Sequence, residues 1–301
     1  MYDILVTGGM GFIGRHTIAA LRARYPDDEI VCLDNLSLSE YADLGVPFIE
    51  GDVRSAGLVT DLVGRVRRGV VHLAADSRVL PSLADPSKVV DSAATNVGGT
   101  VNVLTAVAAN PHLKLVYAGS STAYGGRPVP QRESDLPDVQ SPYSATKLAG
   151  ELLVRSFAVT FGIKATVLRY FQVYGPGQPT TGPYALVTGV FLRQYLAGEP
   201  LTIEGDGTQS RDFVHVTDVA GANVAALGAH TDGLAINVGT GKVHTVQELA
   251  NLISPSQTYL PPRRIDLQST QADVQRAHDL LGWAAQVSFT DGIKEMLTDG
   301  K

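Results

Sequence analysis

The sequence is poor in cysteine and has no long hydrophobic run. Among its 301 residues there is one cysteine, Cys32, which excludes an internal disulfide and favours a reducing compartment. No stretch approaches the ~18 consecutive apolar residues of a membrane span, and the first residues lack the basic region and apolar core of a signal peptide. We therefore expect a soluble, cytoplasmic protein.

Charge is also sparse. Charged residues make up 18% of the chain and the net charge is −6, so there is no electrostatic basis for binding nucleic acid. The cluster Arg65, Arg67 and Arg68 is interpreted as the solvated end of a helix. The seven histidines lack the paired spacing of metal ligands, so no metal site is predicted.

Short apolar runs alternate with helix-length segments in the first half of the chain. Because the runs are continuous rather than alternating, both faces of the sheet are expected to be buried. This pattern predicts an α/β, Rossmann-type doubly wound parallel sheet, with ligand bound beyond the carboxyl ends of the strands. The predicted strands are Ile4–Thr7, Ile30–Asp34, Phe48–Glu50, Val70–Leu73, Leu115–Ala118 and Thr166–Arg169, and the main helices are Phe12–Arg24, Ala93–Ala109 and Ser144–Phe161.

The texture of the sequence changes after about Arg169, where Gly and Pro become frequent. We expect residues 1–170 to form the doubly wound domain, to which the chain returns at about 212–240. Residues 171–211 and 241–301 are predicted to form a smaller carboxyl-terminal substrate-binding lobe, with the substrate in the cleft between the two.

A glycine-rich turn follows the first strand and opens the first helix. Its spacing, Gly-x-x-Gly-x-x-Gly, lets a pyrophosphate approach backbone N–H groups at the positive end of the helix. Asp34 stands 20 positions after the last of these glycines, where a carboxylate accepts ribose hydroxyls and repels a 2′-phosphate. NAD is therefore predicted in preference to NADP. The residues of the turn assigned to the cofactor are Gly8, Gly11, Phe12, Ile13 and Gly14.

Two further segments are candidates for cofactor contacts. Asp52 follows the third strand and could reach the adenine amine, although a role in the turn is an equal alternative. Leu73, Ala74 and Ala75 follow the fourth strand and provide small side chains where the cofactor must pass.

Tyr143 and Lys147 lie four residues apart, on one face of a predicted helix. A free tyrosine has a pKa of about 10 and is a poor base. A neighbouring Lys cation, with the positive nicotinamide ring, is expected to lower that pKa. Ser120 closes the fifth strand, where its hydroxyl can hydrogen-bond a reacting oxygen. These three residues are the predicted catalytic group.

Together these motifs resemble the extended short-chain dehydrogenases/reductases, in their sugar epimerase/dehydratase branch, and most closely the UDP-galactose 4-epimerase-like members. The resemblance covers nearly the whole chain. It rests on residues 7–14, 72–75, 96–100, 120–125, 143–147, 169–176, 205–207 and 211–213.

The resemblance implies roles for individual residues. Tyr143 would be the base, Lys147 would bind the nicotinamide ribose and Ser120 would contact the sugar oxygen. Forked guanidinium donors suit phosphate oxygens, so Arg211 and Arg263 would bind the nucleotide diphosphate. Further cofactor contacts are assigned to Asn35, Val53, Asn96 and Tyr170, and further substrate contacts to Ser121, Thr122, Gln172 and Thr270.

The two residues after Ser120 reduce the number of reactions that the family resemblance allows. Dehydratases of the family carry an acidic pair at the positions of Ser121 and Thr122, and decarboxylating members also carry an acid there. Neither hydroxyl side chain can replace a carboxylic acid near neutral pH. The resemblance then implies a 4-epimerase acting through a transient 4-keto sugar. The alternatives are a nucleotide-sugar reductase and a non-catalytic NAD-binding regulator.

Three positions bear on the sugar. Gln172 stands where the family usually has Asn, and its extra methylene could shift the sugar. The loop 177–180 lacks an arginine found in many relatives, which counts against glucuronate. Thr270 occupies the position of the family's size gate at C2, and a small side chain there predicts that N-acetylhexosamines enter; its alternative role is a helix cap before Asp273.

The helices Ala93–Ala109 and Ser144–Phe161 resemble the pair through which this family dimerises. A homodimer with a four-helix bundle is therefore expected, although packing against the sheet also explains many of their apolar positions.

Overall fold

The computed structural model describes residues 1–77, 83, 85–182, 185–262 and 267–299. Seven strands form its central sheet: β1 (Tyr2–Thr7), β2 (Ile30–Asp34), β3 (Phe48–Glu50), β4 (Val66–His72), β5 (Lys114–Ser120), β6 (Lys164–Tyr170) and β11 (Leu234–Val238). Their order is β3–β2–β1–β4–β5–β6–β11, and every pairing is parallel. The order reverses between β1 and β4, which creates a ligand crevice at their carboxyl ends. The predicted fold class is confirmed.

Ten helices occur among the described residues. They are α1 (Phe12–Arg24), α2 (Ala56–Val63), α3 (Lys88–Ala93), α4 (Thr100–Ala108), α5 (Pro142–Phe161), α6 (Val187–Leu196), α7 (Val216–Gly228), α8 (Val246–Ile253), α9 (Gln275–Leu281) and α10 (Phe289–Asp299).

Both faces of the sheet are buried, which explains the continuous apolar strands. Ile4 and Val6 of β1 belong to a core that α1 and α7 cover. Leu5, between them, belongs to the opposite core, which α2, α4 and α5 cover. Successive side chains of a strand point to opposite faces, so each strand must supply apolar residues at every position. Cys32 is fully buried in the first core, as a small apolar side chain.

The prediction of one continuous helix over Ala93–Ala109 is wrong. α3 ends at Ala93, a π-helical turn spans Ala94–Gly99, and α4 begins at Thr100. Gly99 packs closely on Val53, whose Cγ2 would lie 2.6 Å from an added Cβ. The wider turn also carries Asn96 inward to a buried position. Such turns inside helices are frequent at functional sites.

A third core lies under the second half of the chain and includes Tyr174, Phe213 and Phe289. α8 begins where the capping box predicts, because Thr245 accepts a hydrogen bond from the N–H of Glu248 (3.0 Å). The short strands of this half are β7 (Gln172–Tyr174), β8 (Leu201–Glu204), β9 (Ser210–Arg211), β10 (Phe213–His215), β12 (His244–Thr245), β13 (Gln257–Leu260) and β14 (Ser269–Thr270).

The interpretation of the arginine cluster as a helix end is wrong. Arg67 and Arg68 open β4, which comes after α2 and a short turn. Each arginine pairs with a carboxylate: Arg65 with Asp61, Arg67 with Asp3 and Arg68 with Asp28. Separately, none of the helices in the described residues is both long enough and apolar enough to cross a membrane.

Candidate active site

The glycine turn closes tightly on the end of β4. Gly8 has a positive φ of 72°, and a Cβ on it would lie 2.6 Å from the backbone nitrogen of Ala74. A Cβ on Gly14 would collide with the carbonyl oxygen of Gly8. Gly11, the N-cap of α1, has no side chain that could accept from the first helical N–H groups. The turn therefore fits a pyrophosphate at the amino end of α1.

Asp34 lies at the edge of this turn. Its Oδ2 accepts a hydrogen bond from the N–H of Met10 (3.0 Å), inside the turn, and its Oδ1 accepts from the N–H of Leu36 (2.8 Å). The carboxylate is thus held beside the turn at the carboxyl end of β2, where a ribose hydroxyl contact requires it.

The carboxylate of Asp52 is paired with other side chains of the protein. Arg54 pairs with it (2.7 Å) and the amide of Asn35 donates to it (2.9 Å). The hydrogen bond from Arg54 is the main reason that the pKa of Asp52 falls to about 2. Asn102 on α4 donates to the carbonyl oxygens of Val53 and Arg54 (3.0 Å each). Asp52 therefore has the turn role that stood as its alternative, and adenine binding stays a prediction.

Asn96 connects the segment after β4 to the helix that carries the tyrosine. Its Oδ1 accepts from the N–H of Asp76 (2.8 Å), and its Nδ2 donates to the carbonyl oxygen of Asp76 (2.9 Å) and to Thr146 Oγ1 (3.0 Å). Leu73 and Ala74 are held by donating to Thr7. Asn96 therefore joins Asp76 to α5, and its assigned contact with the cofactor stays a prediction.

The start of α5 sets the position of Tyr143. Ser141 and Ser144 form a capping box, with Pro142 in the first turn. Ser120 ends β5, which packs against α5, and its hydroxyl is near enough to the phenol of Tyr143 to favour the ionised form. Ser121 and Thr122 come next in a 3₁₀ turn, Ser121–Tyr124.

Burial controls the ionisation of Tyr143 and Lys147. It raises the pKa of Tyr143 to about 12, although the hydroxyl of Ser120 opposes this. It lowers the pKa of Lys147 to about 7, which the Glu151 carboxylate opposes. Lys147 Nζ lies 4.6 Å from the centre of the Tyr117 ring. Burial is therefore the main influence of the protein's own groups on the pKa of Tyr143, and its lowering by Lys147 together with the nicotinamide ring stays a prediction.

A buried network behind these residues was missed from the sequence. Arg169 on β6 donates to both oxygens of Glu151 on α5 (2.9 and 2.5 Å) and to the hydroxyl of Tyr124 (2.7 Å). Tyr124 donates to Asn237 on β11 (2.7 Å). The available signal was the acid at Glu151, one turn after Lys147, on a helix packed against an apolar sheet.

Tyr170 ends β6 and is buried. Its hydroxyl donates to Asn223 on α7 (2.6 Å), whose amide donates to Thr17 on α1 (3.1 Å). Tyr170 thus ties the sheet to both helices of one face. Its assigned contact with the cofactor stays a prediction.

The predicted substrate residues come from several short strands. Gln172 lies in β7, and its N–H donates to the carbonyl oxygen of Asp212 (3.1 Å). Arg211 in β9 is the register partner of Thr270 in β14, and its guanidinium donates to the carbonyl oxygens of Ser210 and Leu267 (2.7 Å each). Arg211 and Thr270 are therefore neighbours. Arg263 lies outside the described residues.

The alternative role of Thr270 as a helix cap is wrong. Thr270 is in a strand, and α9 begins only at Gln275, whose N–H donates to Asp273 (3.0 Å). Two residues after this strand, the N–H of Ala272 donates to the buried carboxylate of Asp212 (3.0 Å).

A parallel sheet with a glycine turn, an acid at the end of β2 and a Ser–Tyr–Lys group at its carboxyl edge defines an enzyme of the extended short-chain dehydrogenase/reductase class. Within that class, residues 4–239 match the NAD dependent epimerase/dehydratase family, and the chain belongs to that family.

Three similar proteins have related activities. UDP-glucose 4-epimerase of Mycolicibacterium smegmatis is 34% identical over 96% of this chain and 95% of its own. The structure of UDP-glucose 4-epimerase from Thermotoga maritima with UDP-glucose matches with a TM-score of 0.92 at 33% identity, covering 99% and 98% of the two chains. UDP-N-acetylglucosamine 4-epimerase from Methanobrevibacter ruminantium, in complex with UDP-N-acetylmuramic acid, matches with a TM-score of 0.91 at 31% identity, covering 99% and 97%. The predicted NAD dependence and epimerase type are confirmed.

Proposed function

We propose that this chain interconverts the C4 epimers of a UDP-hexose. The observation that carries the proposal is the placement of Ser120 at the carboxyl end of β5, which packs against the helix that carries Tyr143 and Lys147, with hydroxyl side chains at residues 121 and 122. Without a carboxylic acid at those positions the site can oxidise and reduce the sugar but lacks the acid–base pair for elimination.

Cofactor binding and proton transfer belong to different residues of the chain. Gly8, Gly11 and Gly14 would hold the pyrophosphate of NAD, and Asp34 its adenosine ribose. NAD, when bound, supplies hydride transfer to and from C4. Tyr143 accepts the proton of the 4-hydroxyl and later returns it to the opposite epimer.

Ionisation of Tyr143 requires a positive charge near the phenol, which an oxidised nicotinamide ring would supply. Burial keeps the phenol protonated, with a pKa of about 12. The cation of an oxidised nicotinamide ring beside the phenol would favour the phenolate. Proton removal is thereby linked to the presence of oxidised cofactor and substrate, and Ser120 stabilises the reacting oxygen by hydrogen bonding.

The sugar must turn over between the two transfers, so it is held mainly by its nucleotide. Arg211 supplies forked donors for the diphosphate, and Arg263 is proposed for the same role. Thr270 lies beside Arg211 and is proposed as a small residue at C2, so that both hexoses and N-acetylhexosamines enter. The loop at 177–180 contains no arginine, which disfavours a uronic acid.

We further propose a homodimer through α3, α4 and α5. Leu152 and Val159 on α5 are seven residues apart and therefore lie on one face, yet they are 52% and 87% exposed. Val90 on α3 is 70% exposed. A second copy of these helices would bury this apolar surface. Light scattering should give the mass of a dimer, and Val159→Glu should give a monomer; a monomeric wild-type protein would exclude the proposal.

The test of the proposed reaction is NMR of the sugar protons. Purified protein is incubated without added cofactor with UDP-glucose, UDP-galactose and both UDP-N-acetylhexosamines. We expect C4 epimers to interconvert, and Tyr143→Phe to abolish turnover by a factor of about 10²–10⁴ while still binding NAD. Stoichiometric consumption of reduced cofactor would instead identify a reductase, and unchanged turnover in Tyr143→Phe would remove the tyrosine from the mechanism.

A further inference from the structure

The 3₁₀ turn that follows Ser120 is held at both of its ends. At its start, Ser120 closes β5 and is the register partner of Tyr170 on β6. At its end, Tyr124 points into the protein, with only 1% of its surface exposed. Ser121 and Thr122 lie between these two points and are only partly buried. The turn therefore leaves its hydroxyl side chains accessible at the carboxyl edge of the sheet.

Two neighbouring strands hold the hydroxyl of Tyr124. Arg169 on β6 donates to it (2.7 Å), and it donates to Asn237 on β11 (2.7 Å). The direction of both bonds is fixed, because an arginine can only donate and the hydroxyl has one proton to give. Burial raises the pKa of Tyr124 to about 12, so this proton is kept near neutral pH. Arg169 and Asn237 are register partners, and the phenol thus ties the turn to one row of the sheet.

The two partners of this hydroxyl also reach both sides of the proposed site. Arg169 donates to both oxygens of Glu151, on the helix that carries the proposed base. Asn237 Nδ2 donates to the carbonyl oxygen of Asp273 (3.1 Å), shortly after β14 on the proposed substrate side. The phenol of Tyr124 is therefore the point at which the serine turn is joined to α5 on one side and to the segment after β14 on the other.

We propose that Tyr124 is a positioning residue that places the hydroxyl side chains of the turn, at residues 120–122, against the sugar. This inference rests on the proposed function, in which those hydroxyl groups contact the substrate. Tyr124 itself is buried and does not touch the sugar. Its two hydrogen bonds keep the turn in one position while the sugar is oxidised and reduced, and a displacement of about 1 Å at a reacting group can lower a rate by as much as ~10²-fold.

The first test is Tyr124→Phe in the NAD-loaded enzyme. The new ring keeps its packing against Phe171, whose ring centre lies 6.1 Å away, and against Ala272, but both hydrogen bonds are lost. We expect kcat to fall about tenfold, with KM within about twofold. The dissociation constant of NAD should also stay within about twofold, because the glycine turn follows β1, which is two strands away from β5.

The matched control is Tyr174→Phe. Tyr174 is also fully buried, and its hydroxyl donates to the carbonyl oxygen of Phe289 (3.4 Å) in the third core, so its loss should leave kcat unchanged. A wild-type kcat in Tyr124→Phe would overturn the proposal. Equal losses of kcat in the two variants would also overturn it, as would a loss of NAD affinity as large as the loss of kcat, because a general loosening of the fold would then be responsible.

A second measurement does not depend on the substrate. Amide hydrogen exchange of the NAD-loaded protein is followed by mass spectrometry in the peptide that contains the turn, where the N–H groups of Thr122 and Gly125 are bonded locally. Exchange in this peptide should be at least about threefold faster in Tyr124→Phe than in the wild type and in Tyr174→Phe. Faster exchange with failure of every UDP-sugar would contradict the proposed function only, and unchanged exchange would contradict the role of Tyr124.

Discussion

The proposed cofactor side and the proposed substrate side of the crevice are built in different ways. On the cofactor side, Gly8, Gly14 and Asp34 lie within 27 positions of one another and belong to one strand–turn–helix–strand unit. On the substrate side, Gln172, Arg211 and Thr270 come from three short strands separated by long stretches of chain. The first side depends on local backbone geometry, and the second depends on pairing between distant segments.

This difference predicts different responses to mutation. Backbone packed against backbone has no side chain that can move aside, so the glycine turn should tolerate no added atom. A side chain that lines a substrate site can change size with its strand intact, so the substrate side should change specificity before stability. The buried network of Glu151 and Arg169 joins α5 to β6 and should be the most sensitive of all.

The largest effect is expected from Glu151→Gln. This change leaves the Arg169 guanidinium buried without its carboxylate and should lower the free energy of unfolding by about 3–5 kcal/mol, measured by urea denaturation. The control is Glu199→Gln, which breaks an exposed pair with Arg193 and should cost less than about 0.5 kcal/mol. Equal losses of unfolding free energy in the two variants would show that burial of the ion pair does not determine its contribution to stability.

The next effect is expected from Gly14→Ala. The new Cβ would collide with the carbonyl oxygen of Gly8 and displace the turn, so NAD should bind about 100-fold more weakly, or ~3 kcal/mol, by calorimetry. Gly57→Ala on α2 is the control, because no atom lies within 4 Å of its added Cβ. Tight binding of NAD by Gly14→Ala would contradict the expectation that the cofactor side is less tolerant of added atoms than the substrate side.

A smaller effect concerns the pH dependence of stability. The pKa of Lys147 is about 7 in the native state and about 10.4 in an unfolded chain. Between these values the unfolded chain holds a proton that the native state has released, so the free energy of unfolding rises with pH. Lys147→Met should remove up to about 1.4 kcal/mol per pH unit of that rise.

The window for this measurement is about pH 7.5–9.5, between the two pKa values of Lys147 and below the range in which Tyr143 titrates. Urea denaturation at several pH values gives the slope, and Lys294→Met on the surface of α10 is the control. A wild-type slope in Lys147→Met would mean that the native amine keeps its proton.

The smallest effect is expected from Thr270→Tyr. A large side chain beside Arg211 should reduce turnover of UDP-N-acetylhexosamines about tenfold, ~1.4 kcal/mol, and that of plain hexoses by less than about threefold. Unfolding should remain close to the wild type. Equal losses for both sugar classes would place Thr270 away from C2, and a large loss of stability would contradict the tolerance expected of this side.

The sequence by itself determined the class of the sheet, doubly wound and parallel, and the elements of the proposed cofactor side. Continuous apolar runs indicate a parallel sheet that is buried on both faces. A Gly-x-x-Gly-x-x-Gly spacing at a strand–helix junction predicts a tight turn. The catalytic pair on α5 was predictable in the same way, because four residues span one helical turn.

Only the tertiary structure decided the rest. The bidentate bond of Arg169 to Glu151 and the pairing of Arg211 with Thr270 join segments whose distance in the chain carries no information on their contact. The π-helical turn at Asn96 is local, but Gly99 within it packs against the distant Val53. The ionisation of Tyr143 and Lys147 belongs to this group as well. A four-residue spacing predicts that the two are near each other, but the pKa of each depends on the depth of burial, which the whole fold sets.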